Sequence, residues 1–212
     1  GNNALSGNDA ITVSGTVTAN ATNDVTLNAL SGGFDTANPY VLITAAAVVG
    51  DDTHYRAAGP LALSRYTFTF STATANSVRM TVGGAGAKSL TWVGDGSANL
   101  WNAQGAANWN DGTGASTFFT LDNVSLTDSG SASPAINLSG TLIPGTTVVN
   151  NTSKSYGFTG SGGLAASGTF TKSGTNSLTF TNGAGNSFSS LVSVQNGTLA
   201  FGENGGTLDL DG

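Results

Sequence analysis

The sequence predicts an all-β protein that folds as a parallel β-helix, a solenoid with coils of about 22 residues. Three observations lead to this prediction: few charged residues, short runs of alternating apolar and polar residues, and the recurrence of those runs at a regular interval. Only 8% of the 212 residues are charged, whereas about 25% is usual for soluble domains. Glycine, serine, threonine and asparagine replace the residues that favour helices.

Pairs of apolar residues, spaced two apart, recur along the second half of the chain. The pairs are Ile136/Leu138, Tyr156/Phe158, Leu178/Phe180 and Leu199/Phe201. This alternation predicts half-buried strands. Successive pairs recur at a nearly constant interval along the chain. We therefore expect each strand to stack on the corresponding strand of the preceding coil.

Two further series of apolar residues share this interval. The first consists of Leu126, Val148, Phe170 and Val192, which are evenly spaced. The second consists of Leu142, Leu164 and Leu208, with Asn186 where an apolar residue is due. Three series with one period predict a coil of three strands and three turns. Like residues of successive coils would then stack about 4.8 Å apart, with leucine, valine and phenylalanine inside and threonine and serine outside.

The first part of the chain is also predicted to form strands. Its alternating segments are ITVSGTV at 11–17, DVTLNAL at 24–30 and PYVLITAAAVV at 39–49. A β-hairpin is predicted near residues 64–83, where RYTFTF and SVRMTV flank the polar connector STATANS. The glycine-rich segment GGAGAK at 83–88 predicts a boundary between a first unit, 1–87, and a second unit, 88–212.

Residues 168–202 read GTFTKSGTNSLTFTNGAGNSFSSLVSVQNGTLAFG, and this stretch resembles the autotransporter-associated β-strand repeat. The residues that match the pattern of this family are Lys172, Gly174, Leu178, Phe180, Asn186, Phe188, Val192, Val194, Gly197 and Leu199. Asn176 departs from the pattern, because the family often has glycine there. The segment LTWVGDGSANLWNAQGAANWN at 90–110 is similar to the tryptophan-rich opening that precedes such repeats. The resemblance extends from Ser89 to Gly202.

The resemblance implies an exported, right-handed parallel β-solenoid in a large, repetitive bacterial surface protein. PYVLITA and the hairpin resemble the end of a preceding unit. The resemblance therefore implies that 1–87 close one solenoid unit and that 88–212 open the next. It also implies an extracellular location, or one on the outer cell surface of a bacterium. Lys172 matches the recurring lysine of the family. We expect its stem to pack along a strand edge, or its amino group to meet an acidic residue one coil away.

The expected partners of this chain follow from the open ends of a solenoid. Such an end exposes unpaired strand edges, which can pair with another strand. We therefore expect neighbouring copies, or the continuation of the same polypeptide, to join end to end. Surface polysaccharide is a further candidate partner. The first ten residues, GNNALSGNDA, lack the basic and apolar runs of a signal peptide, so we expect a mature product or an internal segment.

Composition argues against several other classes of protein. The net charge is −6, and nucleic-acid binding needs a concentrated basic face. The basic residues are instead scattered, at Arg56, Arg65, Arg79, Lys88, Lys154 and Lys172. The apolar residues are dispersed, so no membrane-spanning helix of about 20 residues is expected. The chain has no cysteine, which excludes disulfides, thiolate metal sites and a cysteine nucleophile.

Trp92, Trp101 and Trp109 are the candidate glycan contacts, because an exposed indole ring can stack on a sugar ring. Their spacing along the chain does not place them on one face of a strand. Alternatively, the three rings cap the hydrophobic end of the first coil and bury about 150 to 250 Å² each. The sequence leaves both interpretations open.

Asp51, Asp52 and Asp95 are candidate oxygen ligands for calcium. Their spacing does not match a calcium-binding loop, and no other cofactor is expected. His54 is the single histidine of the chain. A metal or acid–base role would need further ligands or a partner at defined spacing, so we expect His54 to lie in a solvated loop.

Catalysis on a β-helix would need clustered carboxylates, or carboxylates with lysine and arginine, on one face. Asp122 and Asp128 flank one strand region, yet no arginine accompanies them, and Glu203 is the only glutamate. The G-x-S-x-G pattern of serine hydrolases is also absent. The sequence therefore predicts that this chain is not an enzyme.

The function expected from these features is structural: a surface module that builds a fibre, stalk or adhesin by end-to-end strand stacking. One alternative is a carbohydrate-binding surface module, which solvent-facing tryptophans in a shallow groove would favour. Another is a β-helical polysaccharide-degrading enzyme, which clustered carboxylates on one face would favour. A third is a pilin-like sandwich of antiparallel strands, with residues 1–30 as a donor strand.

Overall fold

The described part of the chain is all β, with many parallel strands. The computed structural model describes residues 9–27, 34–202 and 208–209. The chain divides into two compact units, Gly1–Gly86 and Ala87–Gly212. The division falls within the glycine-rich segment 83–88, where Gly84 and Gly86 adopt φ angles of 94° and 70°. Glycine reaches these positive angles without the steric cost that a Cβ would add.

Eight strands and two short 3-10 helices are described in the first unit. The strands are β1 (Ile11–Thr12), β2 (Thr16–Thr18), β3 (Asn23–Thr26), β4 (Tyr40–Thr44), β5 (Ala47–Val49), β6 (Tyr55–Ala58), β7 (Tyr66–Ser71) and β8 (Ser77–Gly84). The helices are η1 (Asp52–His54) and η2 (Pro60–Leu63). Pro60 begins η2, a position where its missing N–H group leaves no hydrogen bond unmade.

Parallel pairing stacks the first six strands of this unit in two layers. β1 pairs with β4, β2 with β5 and β3 with β6. The Cα partners include Ile11 with Ile43, Thr16 with Ala47 and Asn23 with Tyr55. These partners lie much farther apart along the chain than the expected coil of about 22 residues. That expectation is therefore wrong for this unit, because a long connection separates the end of β3 from the start of β4.

The β-hairpin predicted near residues 64–83 is confirmed. β7 and β8 are antiparallel, with Phe70 opposite Met80. β8 also pairs antiparallel with β4, which gives the sheet order β1-β4-β8-β7. Val78, Met80 and Val82 alternate along β8 and are at most 4% exposed. This alternation is the period of a strand that buries one face.

Sixteen strands are described in the second unit. They are β9 (Ser89–Trp92), β10 (Leu100–Trp101), β11 (Trp109–Asn110), β12 (Ala115–Ser116), β13 (Asn123–Thr127), β14 (Ile136–Leu138), β15 (Thr141–Leu142), β16 (Thr147–Asn150), β17 (Tyr156–Thr159), β18 (Gly163–Ala166), β19 (Phe170–Lys172), β20 (Ser177–Phe180), β21 (Asn186–Phe188), β22 (Val192–Val194), β23 (Thr198–Phe201) and β24 (Leu208–Asp209). Valine, leucine, phenylalanine and threonine recur in them, as suits a pleated, half-buried surface.

Three sheets run through the second unit. Their strand orders are β12-β11-β9-β13-β16-β19-β22, β10-β14-β17-β20-β23 and β15-β18-β21-β24. From β13 to β24 the chain visits the three sheets in rotation, so every third strand enters the same sheet. All strand pairs in this part are parallel. We call β13–β15, β16–β18, β19–β21 and β22–β24 the four layers.

Partners in successive layers recur at a nearly constant interval along the chain. In the first sheet the partners are Val124, Thr147, Phe170 and Val192. In the second sheet they are Ile136, Phe158, Phe180 and Phe201. In the third sheet Leu142 pairs with Leu164, and Asn186 pairs with Leu208. The interval agrees with the period of about 22 residues that the sequence predicts here.

The predicted register is wrong at three places. Ile136 pairs with Phe158 rather than with the tyrosine two positions earlier, and Leu126 pairs with Val149 rather than Val148. Phe170 likewise pairs with Thr147 rather than Val148. The last two errors arise because the interval between partners, from β13 to β16 and from β16 to β19, is one residue longer than the sequence suggests. Val149 is consequently buried, whereas Val148 is 37% exposed, since a shift of one residue turns a side chain to the other face of a sheet.

One cluster of buried apolar side chains, drawn from all three sheets, forms the core of the second unit. Phe158, Phe180 and Phe201 follow one another in a single column of the second sheet. Their ring centroids are 4.9 and 4.8 Å apart, within the range that favours contact between aromatic rings. Phe158 and Phe180 are fully buried, and Phe201 is partly buried.

Candidate functional site

The three tryptophans lie together near the start of the second unit. Trp92 is on β9, Trp101 on β10 and Trp109 on β11. Antiparallel pairing of β9 and β11 places Trp109 directly opposite Trp92. The ring of Trp109 meets those of Trp92 and Trp101 edge to face, with centroids 5.0 and 4.9 Å away. This geometry is favourable for aromatic pairs.

Burial decides what these rings can do. Trp92, Trp101 and Trp109 are 0%, 0% and 1% exposed. A sugar ring needs an open aromatic face, so the structure does not place these residues where a glycan could stack on them. Phe118 packs against Trp101 at 5.4 Å, and Phe158 packs against the same indole at 5.8 Å. The rings close the apolar core at this end, which favours the capping interpretation.

We call β9, β11 and β12 the cap. β12 and β9 both pair antiparallel with β11, while the other side of β9 pairs parallel with β13. The strand direction therefore reverses within the cap, at β11, whereas β9 runs in the same direction as β13. The indole N–H of Trp92 donates to the carbonyl oxygen of Ser131 at 2.8 Å. This bond ties the cap to the segment between β13 and β14. Lys88 and Asp111, which flank β9 and β11, form an ion pair at 2.7 Å that joins these two strands of the cap.

Asp95, a calcium candidate, serves a turn. Its Oδ1 accepts hydrogen bonds from the backbone N–H groups of Ser97, Ala98 and Asn99 at 2.8 to 2.9 Å. These donors, Asn99 foremost, lower the pKa of Asp95 to about 2, because hydrogen bonds to a carboxylate favour its charged form. The carboxylate stabilises the chain reversal before β10, as aspartate does in Asx turns.

Asp51 and Asp52 also bond within the chain. Asp51 caps η1 by accepting the N–H of Thr53 at 3.0 Å, while its own N–H donates to His54 Nδ1 at 3.2 Å. Asp52 accepts the N–H and the hydroxyl of Thr72 at 2.6 and 3.0 Å. Across the described residues, no group of three or more His, Cys, Asp or Glu side chains could hold a metal ion.

Asp122 and Asp128 accept hydrogen bonds from the backbone. Asp122 is fully buried and accepts the N–H of Lys88 at 2.8 Å. Asp128 accepts the hydroxyl of Thr152 and, at 2.9 Å each, the N–H groups of Thr152 and Ser153. These bonds, that of the Thr152 hydroxyl foremost, hold the pKa of Asp128 well below its usual range. A general acid needs a raised pKa, so this environment fits a structural link between layers.

Lys172 lies in the core, and its predicted position along a strand edge is wrong. The side chain is 0% exposed, and its Cα partner in the preceding layer is the buried Val149. Its Nζ donates to the carbonyl oxygens of Gly174 and Asn196, the latter at 3.3 Å. Burial lowers the pKa of Lys172. Turn carbonyls thus hold the amino group in place of the acidic side chain that the sequence predicts.

Asn151 is a buried turn residue that the sequence pattern does not single out. Its Nδ2 donates to the carbonyl oxygens of Lys154 and Ser177, the latter at 2.9 Å and in the next layer. Gly174 passes so close that a Cβ there would clash with the backbone of Asn151. Asn151 and Gly174 are separated by the same interval as the partners in β13 and β16. Aligning the turns at that interval would have revealed this contact.

An apolar cavity of about 520 Å³ lies in the first unit. Its lining includes Ile11, Val17, Tyr40, Tyr55 and Met80. The phenol oxygen of Tyr55 is buried and has no hydrogen-bond partner in the described part of the chain, and burial raises the pKa of this phenol. Ile11 is 62% exposed, so apolar surface reaches solvent beside the cavity.

No helix among the described residues has the length and hydropathy needed to cross a membrane. Comparison of the chain with protein-family models, curated proteins and solved structures finds no match. The function of the chain is therefore inferred from its own residues and their contacts.

Proposed function

We propose that this chain is a structural module of the bacterial cell exterior, wound as a right-handed parallel β-solenoid with coils of about 22 residues. The observation that supports this most is the register of the second unit. Each layer contributes one strand to each of three sheets, and the next layer adds a parallel strand to each sheet after a nearly constant length of chain. In the proposal each layer is one coil. The resemblance to the autotransporter-associated repeat is the reason for the hand and the location.

The work of such a module is mechanical, and its contacts suit that work. Columns of like residues, such as Phe158 and Phe180, stack from layer to layer. Polar turns add links between layers, as Asp128 does to Thr152. Few residues are charged. This suits the stacking, because identical charges stacked about 4.8 Å apart would repel one another. The specificity of such stacking comes from strand register.

The two ends of the layered stack differ, and the last layer is the end at which the proposal places the addition of strands. The cap covers one end with buried indole rings. In the last layer, Leu191 and Val194 are 66% and 49% exposed, and Leu199 and Phe201 are only partly buried. Exposed strand edges recruit further strands. The proposal is that β22 and β23 pair with a neighbouring copy or with continuing polypeptide, which builds a fibre, stalk or adhesin.

No described observation favours the rival functions. The tryptophan rings are buried, and the carboxylates that could serve catalysis accept backbone hydrogen bonds. The parallel pairing of β13 to β24 differs from a sandwich of antiparallel strands. The proposal therefore names no catalytic residue and no cofactor, and surface polysaccharide stays a candidate partner only for the assembled fibre.

Sedimentation velocity and negative-stain electron microscopy of the purified chain test this proposal. Wild-type protein should form linear assemblies as its concentration rises, with an axial repeat at a multiple of about 4.8 Å. Val194→Lys places a charge on the edge strand β22 and should prevent assembly. Leu63→Lys, at a 40% exposed site on η2, is the matched control and should assemble normally. Single globules at every concentration, or equal assembly of both variants, would refute end-to-end stacking.

A further inference from the structure

Two Asn–Gly pairs in the described residues, Asn182–Gly183 and Asn196–Gly197, lie in contrasting surroundings. In such a pair the backbone nitrogen of glycine can attack the side-chain carbonyl carbon of the preceding asparagine. Glycine has no side chain to hinder this approach, and its backbone is conformationally free. Whether the attack occurs therefore depends on how the fold holds the two reacting groups.

The fold holds both reacting groups of the Asn182–Gly183 pair. The side chain of Asn182 is 0% exposed, and its Nδ2 donates to the carbonyl oxygens of Gly162 and Ala184 at 2.9 and 3.0 Å. The N–H of Gly183 donates to the carbonyl oxygen of Gly160 at 2.7 Å. Attack would have to break these buried hydrogen bonds, which is costly. This pair is protected.

The Asn196–Gly197 pair lies in the exposed turn between β22 and β23. Gly197 has a φ of 72°. The backbone carbonyl oxygen of Asn196 accepts a hydrogen bond from Lys172 Nζ at 3.3 Å. This oxygen and the nitrogen of Gly197 belong to the same peptide group. When that nitrogen loses its proton, the negative charge spreads to the oxygen that the ammonium of Lys172 contacts.

We propose that Asn196 is a site of spontaneous deamidation and that the buried ammonium of Lys172 promotes the reaction. Hydroxide from the solvent removes the proton of the Gly197 N–H, and Lys172 stabilises the resulting anion, as preorganised donors do at developing charges. The nitrogen then bonds to Cγ of Asn196. The Cγ–Nδ2 bond breaks, and ammonia leaves with a proton from water, which regenerates hydroxide. Water opens the succinimide to aspartate or isoaspartate.

The reaction changes a turn next to the strand edge of the last layer. Either product adds a negative charge to a chain whose net charge is −6. Isoaspartate also lengthens the backbone by a methylene group at residue 196, two residues before Thr198, which begins β23 and pairs with Ser177. Strand register depends on turn length, so isoaspartate at this turn should loosen the pairing of β23 with β20.

Peptide mapping by mass spectrometry tests the proposal on folded wild-type protein held at mildly alkaline pH. Deamidation at Asn196 should be at least about tenfold faster than at Asn182, because attack at Asn182 must first break buried hydrogen bonds. In denaturant the two rates should become similar, because neither environment survives. Equal rates in protein that circular dichroism shows to be folded would overturn the proposal.

The role of Lys172 is tested by variants and by pH. Lys172→Met should slow deamidation at Asn196 by about tenfold, while Lys172→Arg should retain most of the rate. Asn182 is the internal control, because its deamidation rises if a variant unfolds. The pH dependence is measured on wild-type protein. Its deamidation rate at Asn196, divided by the rate in a synthetic peptide of the same sequence, should fall as Lys172 loses its proton. A ratio that stays constant with pH would exclude the lysine.

Discussion

The side-chain amides of Asn182 and Asn186 bond to each other inside the core of the second unit. Asn182 Nδ2 donates to Asn186 Oδ1 at 3.1 Å, and Asn186 Nδ2 donates to Asn182 Oδ1 at 3.2 Å. Asn186 Oδ1 also accepts the N–H of Leu164 at 3.0 Å. Both amides are at most 1% exposed. A buried polar group persists when its hydrogen bonds are satisfied, which explains why asparagine interrupts a series of leucines.

Asn186→Leu should destabilise the protein, although it completes the apolar column. The variant leaves the Leu164 N–H without its acceptor and Asn182 Oδ1 without its donor, which costs about 1 to 3 kcal/mol. Chemical denaturation measures the free energy of unfolding. Asn137→Leu, at an exposed position of β14, is the control and should change it by less than about 0.5 kcal/mol. An Asn186→Leu protein as stable as the wild type would contradict the buried-amide account.

Phe180→Ala should lower the free energy of unfolding by about 3 to 5 kcal/mol. Phe180 is 0% exposed, and its ring contacts those of Phe158 and Phe201 at 4.9 and 4.8 Å. Phe201 lies in the same column in the last layer, where its ring is only partly buried. Phe201→Ala should therefore lower the free energy of unfolding clearly less. Urea unfolding measures the free energy of unfolding of both variants. Equal losses would contradict the weaker burial of the ring in the last layer.

Asp128 should contribute to stability at neutral pH and lose that contribution in acid. Its folded-state pKa is lowered below the ordinary value of 3.8, so the unfolded state binds a proton first as the pH falls. The wild-type melting temperature should therefore drop below about pH 4 more steeply than that of Asp128→Asn. Thermal melts over a pH series measure both slopes. Parallel slopes would show that the bonds to Thr152 and Ser153 do not favour the carboxylate.

Lys172 should show the linkage expected of a buried amine. Burial lowers its folded-state pKa from the ordinary 10.5, so between the folded and unfolded pKa values the unfolded chain holds more protons. Folding is then favoured as the pH rises through that window. The free energy of unfolding of wild-type protein, relative to Lys172→Met, should increase as the pH approaches 10.5. A relative stability that falls with pH would mean that the protonated amine is favoured by its carbonyl contacts.

The native fluorescence of Trp92, Trp101 and Trp109 should be that of indoles shielded from water. All three are at most 1% exposed, so iodide should quench the native emission weakly and the unfolded emission strongly. Soluble polysaccharide should not change the native spectrum. A titration with iodide before and after denaturation checks this. Strong quenching in the folded state would show that the indole rings are accessible to solvent, and the tryptophans would again be candidate glycan contacts.

The sequence predicts the strands and the hairpin well, because both depend on local alternation. Phe170, Leu178 and Phe180 face the core as their pattern requires. The regular period of the second unit emerges for the same reason, since stacked layers repeat their apolar positions. The third apolar series is confirmed where Leu142 pairs with Leu164.

The remaining errors come from features that alternation does not encode. Turn length sets the register, and one additional residue places Val149 inside instead of Val148. Lys172 is buried because carbonyls from two turns, those of Gly174 and Asn196, surround its amino group. Side chains that bond to a distant backbone carry no periodic signal, so the sequence suggests an edge position for this lysine.

The antiparallel cap precedes the layers in the chain, and this order bears on how the protein folds. Each later layer closes a loop of nearly the same modest length, so the entropy lost per layer stays nearly constant. When the chain emerges amino terminus first, each new strand can therefore pair with a sheet edge that has already formed. Each step brings together strands about 22 residues apart rather than strands from opposite ends of the unit, which limits the loop entropy lost at that step. A chain whose folding stops partway would contain fewer layers, but its cap would already be formed.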